Sequence, residues 1–241
     1  LAVTVVGCGV LVGAGSGLAA NSTLAVLATQ LFRERHGTLY GVIGAATAAG
    51  TIILLPVSRA ARDISLEVGL LVLAGGVAIG ALGVVVFLRV DARRGAVQHV
   101  PIAEVVRQRD FWLLGVPFFI CGVTSTGITD PHLMPYMEGC GVGSGTASAI
   151  ASALAAFNVV GTLGAGILTD RVSPRALLAS VYAVRGLALL ALPLLRDPAL
   201  LAVFAVTYGL ADFSTVPPTN ALARLSFARG GWATFLGLIG A

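Results

Sequence analysis

Long apolar runs, each closed by a short cluster of charged or turn-forming residues, divide this chain from end to end. They fall at about Leu1–Phe32, Thr38–Val57, Leu66–Leu88, Phe111–Thr129, Gly143–Leu168, Ala176–Leu195 and Ala199–Val216. A shorter run, Trp232–Ala241, follows. About 20 apolar residues suffice to carry a helix across a bilayer core. Transmembrane strands would instead alternate apolar and polar residues over roughly 10 positions, and these runs do not alternate. The pattern therefore predicts an all-α, polytopic transmembrane helical bundle. Positions four apart form stripes along several runs: Gly9, Gly13 and Gly17; Gly41, Ala45 and Ala49; Ala149, Ala153, Phe157, Gly161 and Ala165. Mostly small residues at that spacing let helix axes approach closely.

The polar breaks carry the remaining topology. Arg33-Glu-Arg-His-Gly37 closes the first run, and Arg59, Arg62, Asp63 and Glu67 mark the next loop. The stretch from Arg89 to Asp110 is the longest polar segment and reads as a linker between two bundles. Asp110, just before Phe-Trp-Leu-Leu, suits an N-cap. Later breaks are Asp130-Pro131, Asp170 to Arg175, Arg196-Asp-Pro198 and Pro217-Pro218. Alternate loops hold eleven arginines on one side and three on the other, with Arg185 inside a run. Basic loops stay in the cytoplasm, which orients the bundle and makes the parity of the spans self-consistent.

Composition changes the picture in three ways. With 57% hydrophobic and 11% charged residues, the chain lacks the roughly 25% charge that covers a soluble surface, so its surroundings are a lipid bilayer. The net charge of +4 resides in short loops between spans, which argues against a nucleic-acid partner. Every basic residue is Arg, and with abundant Ala, Gly and Val this suggests a bacterial protein of the cytoplasmic (inner) membrane. Cys8, Cys121 and Cys140 have no metal-like spacing. No metal, cofactor or enzyme motif is implied. The missing initiator Met and the short last run suggest part of a longer chain.

The residues Gly166-x-Leu-x-Asp170-Arg171-x-x-x-Arg175 resemble the signature loop of the major facilitator superfamily, with Ser173 where a Gly is frequent. His132-Leu-Met-Pro-Tyr136, Gly141, Asn158, Gly161 and Asp212-Phe-Ser-Thr-Val-Pro-Pro-Thr219 resemble its monocarboxylate and oxalate–formate branch. The resemblance implies a partial major facilitator fold, about helices four to ten plus the start of eleven. It implies an end of an N-terminal bundle at 1–88, a cytoplasmic linker at 89–110 and a C-terminal bundle at 111–241. It further implies a secondary transporter working by alternating access between two halves.

Within that frame, Arg185 is the sharpest candidate, because it lies some ten residues into its run, roughly 15 Å deep. A charge there faces a cavity or a partner. Guanidinium suits a carboxylate substrate, but the same Arg could be structural, paired to a carboxylate or to helix carbonyls. Asn158 and Asp212 complete the candidate substrate site, Asn158 reading also as a residue that bonds across helices and holds them together. Asp212 reads as close to the cytoplasmic end of its span, as a proton-titrating group or as the charge that neutralises an Arg. Asp130, before Pro131, reads as a helix stop or a broken helix end lining a cavity, with a coupling role. His132 could protonate near neutrality or be a solvated loop residue. Asp170, Arg171 and Arg175 are the gating candidates. Asp170 is expected to face the positive end of the helix starting near Gly37 to Gly41. The expected cargo is a small organic anion such as a monocarboxylate, with protons as candidate coupling ions. The alternatives are efflux of amphiphilic drug-like compounds, or a non-transporting receptor or scaffold.

Overall fold

The computed structural model describes residues 24–26, 35–87, 100–227 and 231–239, with the side chains of 51–63 and some in 66–87 left aside. Most of the first apolar run, its glycine stripe, Cys8 and the linker arginines Arg89, Arg93 and Arg94 lie outside the described residues. Every regular element among the described residues is helical. In chain order the helices are α1 (His36–Ile64), α2 (Leu66–Phe87), α3 (Ile102–Val106), α4 (Arg109–Gly122), α5 (Asp130–Gly139), α6 (Ser144–Thr169), α7 (Pro174–Ala191), α8 (Pro198–Ala211), α9 (Val216–Ser226) and α10 (Gly231–Ile239). Among the described residues, four continuous helical stretches, Arg109–Gly139, Ser144–Thr169, Pro174–Leu194 and Pro198–Ser226, are long and apolar enough to cross a membrane.

Two of these stretches are longer than the proline punctuation suggests. Asp130-Pro131 ends nothing: a π-helical segment, Val123–Thr129, joins α4 to α5 without a break. Proline lacks an N–H and crowds the preceding turn. The wider π turn passes through this point by pairing the Asp130 N–H with the Ser125 carbonyl, five residues back. Likewise Pro217-Pro218 does not close the last full span. A single 3₁₀ turn, Phe213–Thr215, joins α8 to α9, and the two prolines occupy the first turn of α9. That is where a missing N–H costs least.

The remaining boundaries follow local chemistry. Pro174 and Pro198 begin their helices, and the Asp197 carboxylate accepts the N–H of Ala199 at 2.8 Å. The expected loop around Arg59 and Arg62 reduces to Ser65, whose hydroxyl accepts the Val68 N–H at 3.1 Å. Asp110 lies inside the first turn of α4; the cap position is Gln108, with no side-chain bond. Val105 of α3, in the stretch read as linker, is fully buried beneath Phe227 and Phe235.

Packing is in layers. One apolar cluster joins Leu133, Met137, Ile150, Leu154, Phe204 and Tyr208. A second, reached through α9 and α10, joins Tyr40, Val105, Ala223, Phe227, Phe235 and Leu236. Between them, where α8 gives way to α9, lies a buried polar layer. The buried stripe of α6 runs through Ala147, Ile150, Leu154, Asn158, Thr162, Ala165 and Thr169. It is displaced from the Ala149–Ala165 stripe read from the sequence, whose first member, Ala149, is exposed. α1 packs antiparallel on α6, with the backbones of Gly41 and Gly166 in contact. A Cβ on Gly41 would stand 2.8 Å from the Gly166 Cα.

Candidate functional site

α7 carries Arg185 at its centre, 3% exposed, and aims it into the layer between the two apolar clusters. Its Nη1 donates to the Asp212 carboxylate Oδ1 at 2.7 Å and to the Asp212 carbonyl at 3.0 Å. Its Nη2 donates to the Cys121 carbonyl at 2.9 Å, Thr124 Oγ1 at 3.0 Å, Tyr208 Oη at 2.8 Å and Ser125 Oγ. The Tyr208 ring lies under the guanidinium, 5.0 Å from Cζ to the ring centroid, close enough for a cation–π contribution.

The carboxylate is equally well held. Ser125 Oγ donates to Oδ1 at 2.7 Å, and Asn158 Nδ2 donates to Oδ2 at 3.1 Å. Asn158 Oδ1 in turn accepts the Phe213 N–H at 3.3 Å and the Thr162 hydroxyl at 3.3 Å. Asp212 can be reached this way because it sits where α8 changes to a 3₁₀ turn, near the middle of the Pro198–Ser226 stretch. It is not near the end of the span, the place that reading Pro217-Pro218 as a stop would give it. A buried charge is tolerated only when paired and hydrogen-bonded, and this pair is both. The three substrate-site candidates, Arg185, Asn158 and Asp212, thus form one network. Of the two readings open for Arg185, the structure shows the guanidinium bound to a carboxylate and two carbonyls of its own chain.

Sequence reasoning missed Ser125, Thr129 and Tyr208 as members of this network. Thr129 Oγ1 meets Tyr208 Oη at 3.2 Å and reaches the Thr124 carbonyl at 2.7 Å. A signal was present: Cys121, Ser125, Thr129, Leu133 and Met137 are spaced by four and all are buried. Four residues turn an α-helix through about 400°, so the stripe would drift around a regular helix. The π segment keeps it facing one way.

Beside this network lies a cavity of about 360 Å³. Thr124, Ile128, Thr129, His132, Leu133 and Tyr136 line one wall, and Leu189, Leu192 and Pro193 the other. Asp130 is exposed, inside a continuous helix rather than at a broken end, and its carboxylate makes no hydrogen bond or ion pair with the described residues. His132 is helical, not a loop residue, and stands on the cavity wall.

Away from the buried layer, Asp170 follows the last turn of α6 and meets the start of α1. Its Oδ1 accepts the Gly37 N–H at 2.7 Å, and its Oδ2 accepts the Thr38 N–H at 2.7 Å and the Thr38 hydroxyl at 2.6 Å. This is the contact expected between Asp170 and that helix terminus. The first N–H groups of a helix lack internal partners, and a carboxylate there also meets the positive end of the helix dipole. Arg171 and Arg175 are exposed, and their side chains make no hydrogen bond or ion pair with the described residues.

The family model described as Major Facilitator Superfamily matches residues 1–241. No curated protein matches the chain at a significant level.

Proposed function

The chain belongs to the major facilitator superfamily of membrane transporters, and from that premise we propose that it carries a small organic anion, such as a monocarboxylate, by alternating access. The observation that carries this reading is the Arg185 layer: a guanidinium and two neutral donors, Ser125 and Asn158, converge on one carboxylate in mid-membrane, with the Tyr208 hydroxyl accepting from the same guanidinium. That donor set suits a substrate carboxylate as well as it suits Asp212. Substrate would exchange with the Asp212 side chain. The displaced carboxylate, or the exposed Asp130, would then take up a proton. Residues 1–88 form the end of the N-terminal half and residues 111–241 belong to the C-terminal half, joined by the linker at 89–110. The eleven-arginine face is cytoplasmic, the Arg-only composition favours a bacterial inner membrane, and the motif residues from His132 to Tyr136 and from Asp212 to Thr219 favour the monocarboxylate or oxalate–formate branch. Asp170 then holds the cytoplasmic side closed, with Arg171 and Arg175 fixing topology beside it.

The test is uptake of labelled small monocarboxylates into proteoliposomes holding the full-length protein. Uptake should need the protein and vanish in Arg185→Ala. Undiminished uptake in that variant removes Arg185 from substrate binding. A second reading, efflux of amphiphilic compounds, is favoured by the apolar cavity beside Thr124 and Leu189. Protein-dependent extrusion of a lipophilic dye, with no carboxylate flux, would select it.

A further inference from the structure

The segment Val123–Thr129 is π-helical for seven residues, at the point where the helix touches Arg185. π segments are rare and occur mostly as single turns at functional sites. Here the Asp130 N–H and the Thr129 hydroxyl both reach carbonyls five residues back, at Ser125 and Thr124. At the other end, the Cys121 carbonyl accepts Arg185 Nη2 and the Thr124 hydroxyl. The guanidinium therefore satisfies a main-chain carbonyl at the entry to the widened turn, and binds Thr124 and Ser125 within the segment.

We propose that Val123–Thr129 is a register switch held in its π form by Arg185, which converts to α-helix when the guanidinium lets go. A π segment takes up about one residue more than an α-helix over the same path. Conversion thus rotates everything beyond it by about one residue, or roughly 100°. In the π register, Leu133 and Met137 face the core, while His132 is exposed and Tyr136 half-buried. After a one-residue advance, His132 and Tyr136 occupy the directions that Leu133 and Met137 now hold. The inward face of α5 changes from apolar to polar, whereas α4, upstream of the segment, does not turn. The switch deepens the transporter reading and rests on it only for the purpose of the motion: release of Arg185 at the binding layer would re-line the cavity beside it.

Thiol labelling of the full-length, membrane-embedded protein tests this without any substrate, on a background with Cys8, Cys121, Cys140 and any other native cysteine replaced. Single cysteines are placed at 132, 133, 136 and 137, and at 113 and 116 on α4. In the parent arrangement, 133 and 137 should be protected and 132 labelled. Arg185→Lys keeps the charge but loses the forked donors. In it, 133 and 137 should become labelled and 132 and 136 protected, with 113 and 116 unchanged. An unaltered pattern, or a change of equal size on α4, overturns the switch. Deleting Gly127 removes the extra residue and leaves α5 facing as it does now. That variant should keep 133 and 137 protected even with Arg185→Lys. Labelling at 133 or 137 in the deletion variant also overturns the proposal. Absence of carboxylate uptake with a rotating pattern would remove the transport reading alone.

Discussion

Asp170 and Gly37 stand 133 positions apart in the chain and meet at 2.7 Å, carboxylate oxygen to backbone N–H. With Thr38 adding two more bonds, one side chain satisfies the open end of α1 and ties it to the end of α6. A carboxylate at a helix N-terminus contributes about 0.3–1 kcal/mol at the surface and up to about 2 kcal/mol when partly buried. Asp170→Asn keeps an acceptor but loses the charge. It should loosen this end by roughly 1 kcal/mol, a several-fold shift toward the separated state. Spin labels at the start of α1 and the end of α6 should report a longer or broader distance distribution. An unchanged distribution would remove the clasp.

The contact just inside the clasp depends on absent side chains. A Cβ on Gly41 would lie 2.8 Å from the Gly166 Cα and 3.0 Å from the Thr162 carbonyl, all main-chain atoms that cannot step aside. Gly41→Val should therefore push α1 off α6, at a cost of about 1–3 kcal/mol from overpacking. Gly145→Ala, where a Cβ meets nothing within 4 Å, is the control. Thermal unfolding in detergent should drop for the first substitution and not for the second.

The Arg185–Asp212 pair makes a third expectation. Removing one partner leaves the other charge buried without its counter-ion, which costs about 3–5 kcal/mol. Asp212→Leu and Arg185→Met should each be severely destabilised. The double variant Arg185→Met with Asp212→Leu should recover much of the loss, since apolar replacements of a buried pair are often neutral. Unfolding midpoints of the two single variants and the double variant give the coupling. Additive losses would show that the two side chains do not act as a pair.

The spans were legible because hydrocarbon thickness sets a length that any reader of the chain can count, and Ser144–Thr169 differs from the expected run by one residue at each end. Arg185 stood out because a charge in mid-span has few physical excuses. Its partner was misplaced for one reason: proline was read as a terminator. Pro131 lies within a helix widened upstream, and Pro217-Pro218 begin a helix rather than closing one. The three prolines follow turns that depart from the α-helix, a wider π segment before Pro131 and a tighter 3₁₀ turn before Pro217-Pro218, which no hydrophobic pattern announces. Ser125 and Tyr208 were invisible for a different reason. A hydroxyl in an apolar run commonly bonds its own helix, as Thr126 does with the Gly122 carbonyl. Only the crossing of helices tells which hydroxyls turn outward to a partner. The one trace was the spacing by four from Cys121 to Met137, which an α-helix would not keep on one face.

Tyr208 allows the ring and the hydroxyl to be separated. Its hydroxyl accepts from Arg185 at 2.8 Å and meets Thr129 at 3.2 Å, while its ring stacks on Phe204 with centroids 5.2 Å apart. Tyr208→Phe keeps the stack and the surface under the guanidinium, and loses one hydrogen bond to a charged group, worth about 1.5–3 kcal/mol. Nη2 retains Cys121, Thr124 and Ser125 as acceptors, so the loss should fall at or below the lower figure. Tyr208→Leu removes the ring as well and should cost more, by the lost cation–π contact of about 2 kcal/mol in a dry site and by the lost stack. Unfolding midpoints should therefore rank parent, Phe variant, Leu variant, with the larger step between the last two. A Phe variant as unstable as the Leu variant would mean that the hydroxyl, and not the ring, holds the guanidinium in place.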